Sequence, residues 1–106
     1  MKKYQIENFI KGWFIGNFEP SINKTKDFEI AYKKYREGDY ENKHHHKIAI
    51  EITFIVSGIV EMNGIKYNNG DIIEIQFGES TDFKALTNVE TFVIKYPCVN
   101  NDKYIN

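Results

Sequence analysis

Gly38-Asp39-Tyr40-Glu41-Asn42-Lys43-His44-His45-His46-Lys47-Ile48-Ala49-Ile50-Glu51-Ile52-Thr53-Phe54-Ile55-Val56-Ser57-Gly58 is the stretch on which the fold turns. In an extended strand successive side chains point to opposite faces, so His44 and His46 share one face and His45 takes the other. Glu51 has the wrong parity to join the two histidines on one straight strand. It joins them only if the chain reverses within Lys47 to Ala49, which makes the histidine segment and the glutamate segment antiparallel neighbours.

Outward from this stretch the hydrophobic rhythm is period two, or short apolar runs broken by turn residues. Strands are expected over Gly12 to Gly16, Phe28 to Tyr35, Lys43 to His46, Ile50 to Ser57, Ile59 to Met62, Ile65 to Tyr67, Ile72 to Ile75, Thr81 to Leu86 and Thr91 to Tyr96. Glycine and asparagine punctuate them at Glu37-Gly38-Asp39, Ser57-Gly58, Asn63-Gly64, Asn69-Gly70-Asp71 and Phe77-Gly78, where tight turns need positive φ. Asn63-Gly64 is the clearest hairpin turn. Met1 to Lys11 and a turn around Ser21 to Asp27 are the two segments open to helix, and the first places Tyr4, Ile6, Phe9 and Ile10 without a clean 3.6-residue stripe. Many short strands with glycine turns argue for an all-β barrel or sandwich.

A chain of 106 residues has room for one core. We read residues 1–27 as an N-terminal extension with a strand, 28–98 as the barrel and 99–106 as a polar C-terminal tail. With 42% hydrophobic, 27% charged and 15% aromatic residues the composition is that of a globular domain. Fourteen basic and fifteen acidic residues give a net charge of -1, so neither nucleic acid nor an anionic membrane is an expected partner. The lone Cys98 forms no internal disulfide and reads as a structural thiol. Glu7 and Asn8 interrupt the N-terminal apolar residues, and a cytoplasmic location is expected.

The spacing Gly38, five residues, His44, one, His46, four, Glu51, six, Gly58 fills every fixed position of the first cupin motif, which this segment therefore resembles. The second motif is degenerate: Gly70 and Gly78 match, Gln76 stands in place of proline, Thr81 in place of the last histidine ligand, and Ala85 in place of asparagine. Together the two motifs cover Gly38 to Ala85, about half of the chain. The resemblance implies a double-stranded β-helix, or jelly-roll barrel, with ligands on inner strand faces and a pocket at one open end.

Two imidazoles and a carboxylate suit a divalent ion, Fe²⁺, Mn²⁺, Ni²⁺ or Zn²⁺, so His44, His46 and Glu51 are the candidate metal ligands. The competing reading is a solvated basic strand end or a metal-free polar pocket. Thr81 marks an open ligand position for water or substrate. Lys34, Tyr35, Lys95 and Tyr96 lie on strands that border such a pocket, as acid, base or anion contact, or else as solvated edges. Asp82 has the parity of the outer face.

Fold does not fix function. The resemblance favours a metal-dependent enzyme on a small polar metabolite, a sugar or sugar derivative, of isomerase or epimerase type. A non-haem iron dioxygenase and a non-catalytic small-molecule sensor are the alternatives. Turning Glu51, Thr53, Ile55 and Ser57 to the pocket leaves Ile50, Ile52, Phe54 and Val56 on the opposite face. Either Trp13, Phe14 and Phe18 cover that face or a second subunit does, and a homodimer is the expectation.

Overall fold

The computed structural model describes residues Met1–Asn106. Ten strands form in chain order: β1 (Trp13–Ile15), β2 (Glu29–Tyr35), β3 (Tyr40–His46), β4 (Ile50–Ser57), β5 (Val60–Met62), β6 (Ile65–Tyr67), β7 (Ile72–Ile75), β8 (Thr81–Ala85), β9 (Val89–Tyr96) and β10 (Lys103–Ile105). They make two five-stranded sheets, ordered β1-β2-β9-β4-β7 and β10-β3-β8-β5-β6, with every pairing antiparallel. The nine expected strands are all present. The only helical piece is a single 3-10 turn at Ile6–Asn8. No helix is long and apolar enough to cross a membrane.

Alternation sets what each sheet buries. On β4, Thr53 and Ile55 are buried while Phe54 is exposed. Ile55, Val60, Met62, Ile75, Phe83, Ala85 and Val89 form the apolar core between the sheets, with Tyr35, Tyr67 and Ile73 packed against it. Among these the large buried side chains Ile55, Val60, Met62, Ile75, Phe83 and Val89 each contribute about 1.5–3 kcal/mol by leaving water. Ser57 departs from the expected inner set. A bulge between Ile55 and Ser57 places Ser57 opposite Glu90 instead of extending the alternation.

Two turns show what their residues are for. Asn63 and Gly64 both take positive φ, 51° and 78°, the pair of left-handed residues that a two-residue hairpin between β5 and β6 demands. Gly58 has φ 100°, and a Cβ there would lie 2.3 Å from the Asn88 carbonyl oxygen. Position 58 is closed to any side chain.

The C-terminal segment is more than a tail. β10 pairs with β3, setting Lys103 opposite His46 and Ile105 opposite His44. Just before it, the buried Asp102 carboxylate accepts hydrogen bonds from the backbone N–H groups of Lys47, Ile48 and Ala49 at 3.1, 3.1 and 2.9 Å. These are the residues at which the chain reverses between β3 and β4. Burial alone would raise the Asp102 carboxyl, but the three N–H donors outweigh it and hold it below the usual carboxylate range. Asp102→Ala should therefore cost about 2–4 kcal/mol, since three inward N–H groups lose a charged acceptor. Because the folded-state pKa is depressed, that contribution is present above the ordinary carboxylate pKa and fades as pH falls through the lowered one. Denaturant melts of wild type and variant should differ at neutral pH and converge on acidification; equal stability at neutral pH would refute the clamp.

Candidate metal centre

His44 and His46 come from β3 and Glu51 from the start of β4; the two strands are not the antiparallel neighbours expected but lie on opposite sheets, because the chain crosses between the sheets at the turn held by Asp102. One ligand-type atom from each of the three lies within 4.8 Å of the others. Both histidines are buried, and their rings meet edge to face with centroids 5.4 Å apart. The sequence-derived trio converges on one point.

Each donor is set up by its surroundings. His44 Nδ1 lies 2.9 Å from the Asn42 carbonyl oxygen and donates to it, which orients the ring and leaves Nε2 as the nitrogen available to the cluster. The Nε2 atom of His46 is buried and has no hydrogen-bond partner. Burial, then the charge of Lys95, lowers the His46 imidazole to about 4, so it is neutral at physiological pH. Burial also raises the Glu51 carboxyl, against the opposing pull of Lys95, His44 and the Thr53 hydroxyl, which donates to it at 3.2 Å. Two imidazoles and a carboxylate, one nitrogen of them without any partner, are a donor set that fits a divalent transition metal.

His45 points away, as parity requires. Its ring stacks on Tyr104 at 5.4 Å and its Nδ1 lies 2.6 Å from Asn106 Oδ1, so it fastens β10 to β3. Thr81 is buried on β8, directly opposite His44 in register and on the cavity wall. That is the position from which a further ligand would reach the cluster. Asp82 caps the hairpin turn from outside by accepting the Asn63 N–H at 2.7 Å.

The cluster opens into a cavity of about 80 Å³ between the sheets. Tyr35 and Lys95 line it. Tyr96 does not: it stands opposite Ile50 on the outer face of β9 and is 36% exposed. Lys34 likewise faces out. Alternation admits only one residue of each adjacent pair, so Tyr35 excludes Lys34 and Lys95 excludes Tyr96. The same rule assigns Lys33, on the face of Tyr35, to the cavity wall, where the sequence reading had not placed it.

Glu41 also lines the cavity, and no alternation rule finds it. The β3–β8 register shifts between Glu41 and His44, and this bulge turns Glu41 to the face that simple parity gives to Asn42. Glu41 accepts a 2.8 Å hydrogen bond from the Tyr35 hydroxyl. Burial, then the Glu41 charge, raises the Tyr35 phenol, which stays protonated and a donor. Trp13 and Lys103, from the two terminal segments, complete the mouth.

The sequence matches no protein-family model and no curated protein. Its structure is similar to many solved ones. A conserved protein with a double-stranded β-helix domain from Klebsiella pneumoniae superposes with a TM-score of 0.76 at 15% identity, over 98% of this chain and 90% of that one. An RmlC-like cupin from Shewanella frigidimarina gives 0.65 at 15% identity, over 73% and 71%. The DMSP lyase DddQ from Ruegeria pomeroyi gives 0.67 at 18% identity, over 78% of this chain and 45% of that one. With two facing antiparallel sheets and these superpositions, the chain has a double-stranded β-helix fold, the fold it shares with these solved structures.

Proposed function

We propose that this protein is a metal-dependent enzyme that acts on a small polar metabolite by proton transfer, in the manner of an isomerase or epimerase, with sugars and sugar derivatives as the first class to assay. The observation that carries the reading is the buried, unpartnered Nε2 of His46 beside His44 and Glu51. A bound divalent ion would supply Lewis acidity, polarising a carbonyl or hydroxyl oxygen of the substrate. The chain's own groups do the rest. Glu41 lies on the same cavity as an acceptor for a substrate proton, and the Tyr35 hydroxyl that hydrogen-bonds it at 2.8 Å steadies its charge. Met62, Phe83 and Val93 form an apolar part of the wall and limit water.

Two His and one carboxylate, with Thr81 opposite His44, also favour a second reading, an Fe²⁺ dioxygenase, in which His44, His46 and Glu51 would hold the ion and the ion would supply dioxygen chemistry. Turnover that persists without oxygen excludes it. Failure of every turnover screen on metal-loaded protein would leave a non-catalytic binding cupin.

The proposal also takes the chain to be a homodimer. Tyr32, Phe92, Phe54 and Ile72 stand in register across the outer face of the β1-containing sheet, with Phe92 40%, Phe54 37% and Ile72 64% exposed. The N-terminal aromatics sit elsewhere: Trp13 lies at the cavity and Phe14 packs on Phe9. A two-fold pairing of this face removes it from water. Sedimentation at high micromolar concentration should show a dimer that Phe54→Lys dissociates; a monomeric wild type removes this part of the proposal.

Metal content decides the rest. His44→Ala and His46→Ala should each weaken binding by about 100-fold or more, since even outer partners of metal ligands are worth about 10–100-fold. Glu51→Gln should weaken it while the fold persists. His45→Ala should leave affinity within about twofold, because that ring faces away from the cluster, stacked on Tyr104 and bonded to Asn106. Thr81→His should tighten it by adding a ligand opposite His44. A wild-type protein that takes up none of Fe²⁺, Mn²⁺, Ni²⁺ or Zn²⁺ in elemental analysis would overturn the metal centre, as would a His45→Ala variant as deficient as His44→Ala.

A further inference from the structure

The charged groups around the cavity nearly cancel. Lys33, Lys95 and Lys103 line it together with Glu41 and Glu51, and Glu29 holds the Lys95 ammonium at 3.0 Å. Three ammonium groups thus meet three carboxylates. A divalent ion on His44, His46 and Glu51 would leave this set positive by two charges in a partly buried space, where excess charge is costly. A ligand bearing negative charge relieves the excess.

The place for that charge is specific. Lys33 and Lys95 bracket Trp13, with their ammonium nitrogens 5.2 and 4.9 Å from the ring centroid. Lys95 already has Glu29, whereas Lys33 enters neither of the protein's two ion pairs. The residue opposite Lys33 across the β2–β9 pairing is Thr91, which is fully buried, lines the same cavity and has a hydroxyl with no hydrogen-bond partner. An ammonium outside any close ion pair and a hydroxyl without a partner therefore stand side by side on the cavity wall.

Size narrows the ligand. At about 80 Å³ the cavity holds roughly six water-sized groups, each needing about 10–15 Å³. An outer cleft shares Trp13, Lys95 and Lys103 with it, so a longer molecule has room to continue outward. We propose that Lys33 and Thr91 form an anion subsite for the carboxylate of a small hydroxy or keto acid, with Trp13 and Lys95 closing over it. The inference rests on the metal-centre reading, because the acid's second oxygen is what would face His44, His46 and Glu51. A planar carboxylate is preferred to a phosphate, whose greater charge and bulk cost more to desolvate in so small a space.

Trp13 is the single tryptophan, so its emission reports occupancy of the subsite directly. Protein loaded with Zn²⁺, its zinc content fixed by elemental analysis, is titrated with glycolate and with its uncharged analogue glycolamide. Glycolate should change the emission saturably, and glycolamide should bind at least tenfold more weakly. Lys33→Met should weaken glycolate at least tenfold at unchanged zinc content and circular dichroism, and Lys33→Arg should recover part of the loss. If the Met variant misfolds, Lys33→Gln serves the same comparison. Zinc-loaded protein that shows no saturable response, a Lys33 variant of wild-type affinity, or tighter binding of inorganic phosphate than of glycolate would overturn the subsite. Protein that takes up no zinc yet still binds glycolate through Lys33 keeps the subsite and removes only the metal reading.

Discussion

The reversal from Lys47 to Ala49 presents three successive backbone N–H groups to one side, and the Asp102 carboxylate accepts all three. Convergent N–H groups form a concave anion site, here filled by the chain's own aspartate. The contact spans more than 50 residues of sequence, from the first motif to the C-terminal segment. It also decides the chemistry. With the turn fixed, β3 and β4 run back into opposite sheets and deliver two histidines and a glutamate to one point. β10 adds a second hold on the same strand through Tyr104 stacked on His45, with the Lys47 ammonium 4.2 Å above the Tyr104 ring. A further tie comes from the second motif, whose Gly78 N–H donates to the His46 carbonyl oxygen at 2.6 Å.

Lys95 then tunes what the turn assembles. Across three adjacent strands the register runs Glu29, Lys95, Glu51, so one ammonium sits between two carboxylates. Burial pushes Glu51 toward its neutral form and Lys95 pulls it back; the same positive charge helps keep His46 unprotonated. An ionised carboxylate and a neutral imidazole are the states in which these groups donate to a metal. The apolar residues Ile55, Val60, Ala85 and Val89 supply the packing that a charged cavity cannot, which lets one part of the barrel interior stay polar.

Alternation by itself makes much of this legible in the sequence: the strands, the inward pair His44 and His46, the outward His45, and the need for a turn ahead of Glu51. Three features lie beyond it for separate reasons. Glu41 reaches the cavity through a bulge, which adds a residue to one strand and is invisible to a period-two reading. Asp102 gives no signal because its partners are backbone N–H groups, which every residue but proline carries. β10 is a three-residue edge strand in a polar segment, Lys103-Tyr104-Ile105, too short for any periodicity. Tyr96 fails for a different reason. Parity forbids it once Lys95 faces inward, and on β2 the same rule admits Lys33 beside Tyr35 in place of Lys34.

The two faces of β4 and β9 show why this register tolerates no slip. Inward they carry Glu51, Thr53, Thr91 and Lys95, and outward Ile52, Phe54, Phe92 and Ile94. Sliding either strand by one residue would drive large apolar side chains against the histidines and expel the charged ones to the surface. The cost would fall on both sides at once, in lost ion pairing within and in mispacked volume between the sheets. The bulges on β3 and β4 can exist for the same reason: each changes parity locally, and the paired residues on either side of it restore the frame. The polar cavity thus helps define the register that the apolar core holds, which couples the chemistry of the site to the stability of the fold.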